Sequence, residues 1–347
     1  MDPSFHITKH LFDARPRYQY RLTASCYRFP LANQSGSEDD SSGLTLVLTH
    51  GSGFHKEHFE PTIDELLRLV TNQAESQSVS IREIWALDHP SHGQAALLNE
   101  ALFHRQGGTD DGARKYAQAL YAFLTLPNPG VGVDFSQRNV VLVGHSMGAM
   151  AITPRITPIC AILVELVAGD PAMMKEVTDQ LAQGSHTRRD RWSSRASASR
   201  FMKKRKMWEK WDPRILDLYL AYGLRPLPTL KYPSIASGVT LTCTIEQEES
   251  ISRDLSGIIY IWNSIQTVTT RHPLHLIYGT KNDILSLESK DSFIAQAGGS
   301  EKFESIHSIP GAAHLIVQTH PTALAERIFD ILRSRSLQGQ FARAARM

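Results

Sequence analysis

Cysteine is scarce: Cys26, Cys160 and Cys243 are the only three in 347 residues, and they stand far apart. Their number and spacing exclude a disulfide framework or a cysteine metal site and fit a reducing compartment. Long apolar runs are also missing, none approaching the roughly eighteen residues of a membrane span. Met1-Asp-Pro-Ser-Phe-His has neither the basic nor the apolar part of a secretory signal. An intracellular protein without a transmembrane segment is therefore expected. Charge of one sign is lacking too, since 37 Lys and Arg face 35 Asp and Glu for a net +2. No overall field asks for nucleic acid or another polyanion. What is present, 41% hydrophobic and 21% charged residues, is ordinary for a globular chain and excludes a largely disordered one.

Against that background one run stands out. Four apolar residues, 140–143, end abruptly at Gly144-His145-Ser146-Met147-Gly148. G-x-S-x-G is the pattern of a nucleophile elbow, in which serine sits on a strained turn and flanking glycines let strand and helix approach closely. The pentapeptide alone is a weak signal. Its context carries it, because an apolar strand precedes it and Gly148-Ala-Met-Ala-Ile, a helical continuation, follows.

Short apolar runs at 44–49, 81–87, 139–143, 160–164, 274–278 and 303–307 alternate with helical stretches. Residues 17–30 read as an amphipathic β-segment and 33–43 as a polar loop. The alternation implies βαβ units: an α/β fold with a mainly parallel central sheet and helices on both faces. From Asp170 to about Arg271 the pattern turns helical, charged and aromatic. The expected division is a core in two parts, 1–170 and 272–347, split by a mostly helical cap at 171–271. Within that cap, 239–243 reads as one strand hydrogen-bonded into the main sheet.

A serine alcohol needs a base to become a nucleophile, and the base needs a carboxylate to fix its tautomer. His314 suits the base, in a glycine-containing loop after the last apolar strand and before a terminal helix. Two carboxylates at strand ends suit the acid: Glu165, directly after 160–164, and Asp283, in a Gly-Thr-Lys-Asn turn after 274–278. A buried glutamate is costly unless paired, which favours Glu165; Asp283 remains the alternative. The oxyanion donors should be the N–H of Met147 and one from His50-Gly51-Ser52-Gly53-Phe54, with Phe54 or Gly53 as the second. Residues 88–93 read as a structural turn beside the site. The expected chemistry uses no metal and no cofactor.

Taken together, His50-Gly-Ser-Gly-Phe-His-Lys-Glu57, Gly144-His-Ser-Met-Gly148 and Pro310-Gly-Ala-Ala-His314 resemble the α/β hydrolases. More narrowly, Phe54-His-Lys-Glu57, Trp211-Asp-Pro-Arg214 with Tyr222-Gly-Leu-Arg225, and Val239-Thr-Leu-Thr-Cys243 resemble the fungal peroxisomal hydrolases of host-selective toxin and mycophenolic acid biosynthesis, which are related to yeast peroxisomal lipase. The resemblance implies an esterase or thioesterase for an acyl-CoA or acylated secondary metabolite. It also implies an acid after the strand that follows the elbow, the position of Glu165. The usual proline after that acid is Leu166 here.

Ala345-Arg346-Met347 fits the small-basic-Leu/Met form of a peroxisomal address, so the import receptor is an expected partner beside a small acyl substrate. Nucleic acid is not expected, and a homodimer is left open. The nine basic residues between positions 188 and 206 read as a solvated helix face, with contact to nucleic acid, an acidic membrane or a phosphorylated substrate as the alternatives such a run allows.

Overall fold

The computed structural model describes residues 5–29, 43–74, 79–107, 112–126, 131–152 and 157–337. The tripeptide Ala345-Arg346-Met347 and nearly all of the loop at 33–43 lie outside the described residues. The strands are β1 (His6–Asp13), β2 (Arg21–Arg28), β3 (Leu44–Thr49), β4 (Ile81–Leu87), β5 (Asn139–His145), β6 (Cys160–Val164), β7 (Arg191–Trp192), β8 (Leu224–Pro226), β9 (Val239–Leu241), β10 (Leu274–Gly279) and β11 (Ser305–Ile309). Eight of them form one sheet in the order β1-β2-β4-β3-β5-β6-β10-β11. β2 runs antiparallel to β1 and β4, and every pair from β4 across to β11 is parallel.

Alternate residues of a strand face opposite sides of its sheet. In β5, Val140 and Leu142 join one apolar cluster, while Val141 and Val143 join another on the other side. Helices cover both faces, which is why β5 reads as an unbroken apolar run rather than an alternating one. The first cluster includes Trp85, Tyr116 and Phe123, and the second Phe59, Ile162 and Ile316.

Two expectations need correction. The β-segment at 17–30 begins as a strand only at Arg21, and β1 precedes it unannounced. β1 is an edge strand whose residues are mostly exposed, so no apolar alternation marks it. The second concerns 239–243, which adds nothing to the main sheet. β9 is the central strand of a separate antiparallel sheet, β7-β9-β8, with Thr240 opposite Arg191 and Leu241 opposite Leu224. Its apolar side chains, Val239 and Leu241, pack in a third cluster with Trp192, Trp208, Trp211 and Tyr219. That local core claims the strand. The helices on either side, Pro171–His186 and Ser256–Arg271, instead send Met174, Ile258, Ile261 and Ile265 into the first cluster of the main sheet. Among the described residues no helix is long and apolar enough to cross a membrane.

A buried ion network fixes the loop after β3. Lys56 is 1% exposed, and its Nζ lies 2.7 Å from Glu57 Oε1 and 2.8 Å from Asp88 Oδ2. Burial pushes the Lys56 ammonium down, but the two carboxylates outweigh it and hold it above its ordinary value. Asp88, at the end of β4, also accepts the Lys56 N–H at 3.0 Å, the Thr23 hydroxyl at 2.7 Å and the Gln94 N–H at 3.2 Å. Breaking a buried pair leaves its partner charge uncompensated, which costs about 3–5 kcal/mol. Lys56→Met should therefore lower the unfolding free energy in urea by about that amount; an unchanged midpoint would show the network to be dispensable.

Candidate active site

Ser146 stands between β5 and the short helix Met147–Ala151 with φ 55° and ψ −120°. Glu165, one residue past β6, has φ 48°, and among the described residues these are the only two non-glycine positions with positive φ. Such strain costs on the order of 1–3 kcal/mol per residue and persists only where the surroundings over-determine it. Here the sheet does so: the Ser146 N–H donates to the Val164 carbonyl at 3.0 Å, and the Glu165 N–H to the Ile277 carbonyl at 2.9 Å. The elbow's glycines are sterically required. A Cβ at Gly148 would collide with the Thr49 backbone, and one at Gly144 with the backbone of Gly148 and Ala149.

Three side chains meet above the carboxyl ends of the strands. Ser146 Oγ lies 3.0 Å from His314 Nε2, and His314 Nδ1 lies 3.2 Å from Glu165 Oε2. With the Nδ1–H donating to Glu165, Nε2 accepts the Ser146 hydroxyl proton. All three are buried, Ser146 at 9% and His314 at 6% exposure. Asp283, the alternative acid, is elsewhere: its Oδ1 accepts the backbone N–H of His314 at 2.9 Å, so it holds the loop and not the ring. The other Glu165 oxygen accepts the Gly279 N–H at 2.5 Å and has Lys290 Nζ at 3.9 Å. Burial would raise the Glu165 carboxyl. The hydrogen bond and electrostatic pull of the His314 ring, the Gly279 N–H and the Lys290 ammonium outweigh burial and hold it below its usual value.

The loop after β3 passes beside the serine, since a Cβ on Gly51 would lie 3.2 Å from Ser146 Cβ. Neither of the expected second oxyanion donors is free. The Gly53 N–H donates to His92 Nε2 at 2.9 Å, and the Phe54 N–H turns back to the Gly51 carbonyl at 3.4 Å. A donor already facing an acceptor within the protein does not serve a ligand. The Ser52 N–H has no acceptor among the described residues. Met147, the first residue of its helix, likewise has no intrahelical acceptor for its N–H.

Histidines that the sequence gave no role serve as neutral anchors. His145 Nε2 donates to the His314 carbonyl at 2.9 Å, tying the elbow to the histidine loop. Burial, with His314 beside it, brings His145 down to about 3, so it stays uncharged. Burial also lowers His92 well below its ordinary value and leaves Nε2 free to accept from Gly53. His50 Nδ1 donates to the Gly51 carbonyl at 2.8 Å, and its Nε2 accepts the His89 N–H at 3.1 Å. The turn at 88–93 is thus wired to the loop beside Ser146. His145 was available to sequence reasoning only as the variable residue of the elbow, and Lys290 gave no signal at all. Among the described residues no group of three or more His, Cys, Asp or Glu is arranged to hold a metal ion.

Residues 46–327 match the Alpha/beta hydrolase family. Two curated relatives are the type I acyl-CoA thioesterases mpaH of Penicillium brevicompactum, 31% identical over 201 residues, and of Penicillium roqueforti, 30% identical over 204. These matches cover 55% and 56% of this chain but 42% and 43% of the relatives, so less than half their length is matched. Among solved structures, the peroxisomal alpha-beta-hydrolase Lpx1 from Saccharomyces cerevisiae superposes with a TM-score of 0.70 at 18% identity, over 96% of this chain and 90% of its own. An E-2-(acetamidomethylene)succinate hydrolase does so with a TM-score of 0.64 at 15% identity, over 94% and 98%. Both show the fold.

The Glu165 environment has a consequence for stability. A carboxyl whose pKa is lower in the folded than in the unfolded chain contributes stability that is full above its unfolded value. That value is 4.5, and the contribution is lost as the pH falls further through the folded value. Glu165→Gln removes this titration. Its melting temperature should fall less steeply than that of the natural chain below pH 4.5, and parallel curves would contradict the assignment.

Proposed function

Because the chain belongs to the alpha/beta hydrolase family, we propose that it is a serine hydrolase cleaving an acyl ester or thioester. The observation that carries this is the unbroken relay from Ser146 Oγ through His314 to Glu165, at 3.0 and 3.2 Å, on a strained elbow. Ser146 Oγ attacks the acyl carbonyl carbon while His314 Nε2 takes its proton. The carbonyl oxygen becomes an oxyanion, which the Met147 and Ser52 N–H groups stabilise. Its collapse expels the alcohol or thiol, which leaves with the proton from His314 and an acylated Ser146 behind. Water, deprotonated by the same nitrogen, releases the acid. Glu165 keeps Nδ1 protonated and stabilises the imidazolium formed in both steps.

An acyl-CoA thioester is the substrate class we favour, on the strength of the relatives named as acyl-CoA thioesterases. We take residues 171–271 as the cap over a core made of 1–170 and 272–347. Its Trp211 lies 5.7 Å from Phe54, between ring centroids, and its Glu248 lies against Gly53.

Ser146→Ala should abolish the burst of product from an activated ester and the release of free thiol from acyl-CoA; full activity in that variant would sink the reading. Glu165→Gln should lower kcat by roughly 10²–10⁴, as expected for loss of the orienting acid. Asp283→Asn keeps an oxygen that can accept the His314 N–H and should cost less than about tenfold. The reverse ranking would make Asp283 the acid.

A further inference from the structure

The basic run in the cap separates into two sets once each side chain is followed. Between positions 188 and 214 there are 11 basic residues and 3 acids. Six of the cations are engaged within the fold. Arg188 pairs with Glu248, and Arg214 pairs with Asp212. Arg189 and Arg205 stand over the Phe201 ring at 5.1 and 4.2 Å, and Arg191 over Tyr232 at 4.6 Å. Arg195 donates to the carbonyls of Ala221 and Leu224 at the end of the helix Pro213–Tyr222, where a cation also complements the helix dipole.

The remaining five, Arg200, Lys203, Lys204, Lys206 and Lys210, are exposed and make no ion pair, hydrogen bond or ring contact among the described residues. Arg200, Lys203 and Lys204 follow the i, i+3, i+4 spacing of one helix face, opposite Ala198 and Met202, which are buried in the cap's own cluster. Lys206 and Lys210 continue the patch around the short helix Lys206–Glu209. Met207 projects among them at 55% exposure, and Glu209 is the one acid between Asp190 and Asp212.

We propose that this outer face of the cap docks on an anionic lipid bilayer. Unpaired cations around an exposed apolar side chain match a headgroup layer, whose phosphates meet the cations while the apolar group enters the acyl boundary. A single-stranded nucleic acid would ask for exposed rings on which bases can stack. Here Trp192 and Trp208 are buried, and Phe201 lies beneath Arg189 and Arg205. The proposal is independent of the catalytic reading, since no group of the Ser146 site takes part.

Co-sedimentation of the full chain with vesicles of phosphatidylcholine and phosphatidylserine, against pure phosphatidylcholine, tests it. The chain should pellet with the anionic vesicles only and be released by salt. Each cation lost should weaken partitioning about fivefold, so Lys203→Glu, Lys204→Glu and Lys206→Glu together should cost roughly a hundredfold or more at an unchanged melting temperature. Should that variant misfold, Arg200→Gln with Lys210→Gln repeats the test with a loss of roughly twentyfold. Met207→Ala should weaken binding at every salt concentration. Failure to pellet with anionic vesicles, wild-type binding by the folded charge variants, or binding to RNA in place of vesicles each overturns the proposal.

Discussion

The site depends on the register of three neighbouring parallel strands. β5, β6 and β10 pair so that His145 stands opposite Val164, and Val164 opposite Ile277. The next residue on β5 is Ser146 and the next on β6 is Glu165, each forced to positive φ and each donating its N–H to the carbonyl of the adjacent strand. A one-residue slip of β6 against both its neighbours would break both bonds and turn its apolar side chains to the opposite faces of the sheet. Both faces are buried, so the register is strongly specified, and the backbone strain at Ser146 and Glu165 is held by the cohesion of the whole sheet. The two remaining loops close on that frame. Asp283, after β10, grips the His314 backbone N–H from one side while His145 grips its carbonyl from the other.

A second regularity is how the chain handles polar groups that it buries. An isolated buried charge is costly, and each one near the site has more than one partner. Glu165 has the His314 ring, the Gly279 N–H and Lys290; Asp88 has Lys56, Thr23 and Gln94. Histidine is used differently, because burial makes it neutral and so gives one donor and one acceptor at fixed places. His145 and His50 join loop to loop in this way, and His92 takes the Gly53 N–H. The His314 ring, by contrast, has one nitrogen at a serine hydroxyl and the other at a carboxylate.

Legibility in the sequence followed locality. β3, β4 and β6 matched their apolar runs because a strand buried on both faces writes itself into consecutive residues. That Ser146 and His314 come together follows two local signals, a strained turn and a glycine loop, each a demand on the backbone. Sequence could only weigh Glu165 against Asp283, because that Glu165 meets the His314 ring and Asp283 its main chain is a matter of tertiary approach. The partner of the Gly53 N–H was illegible for the same reason: it is His92, thirty-nine residues away. β1 left no trace because His6, Ile7, Thr8 and Lys9 are all exposed on an edge, and β9 was assigned to the wrong sheet because three apolar-flanked residues do not say which core they enter.

The segment between β6 and β10 packs against the loop after β3 on one side and is exposed on the other. On its inner side Trp211 meets Phe54 and His58, Tyr219 meets His58, and the Asp212 N–H donates to the Gln318 carbonyl. Phe54 and Leu315, the chain neighbours of Gly53 and His314, pack against the same cluster. On its outer side the helix Arg195–Lys203 presents the unpaired cations, while its Ala198 and Met202 share the cluster of Trp208, Trp211 and Tyr219. An apolar interior of that density transmits displacement rather than absorbing it. Trp208 and Trp211, whose rings stand 4.4 Å apart, lie in that shared cluster, and Trp211 is the one that meets Phe54. The helix that carries the cations and the loop that carries Ser52 and Phe54 therefore pack against one apolar cluster.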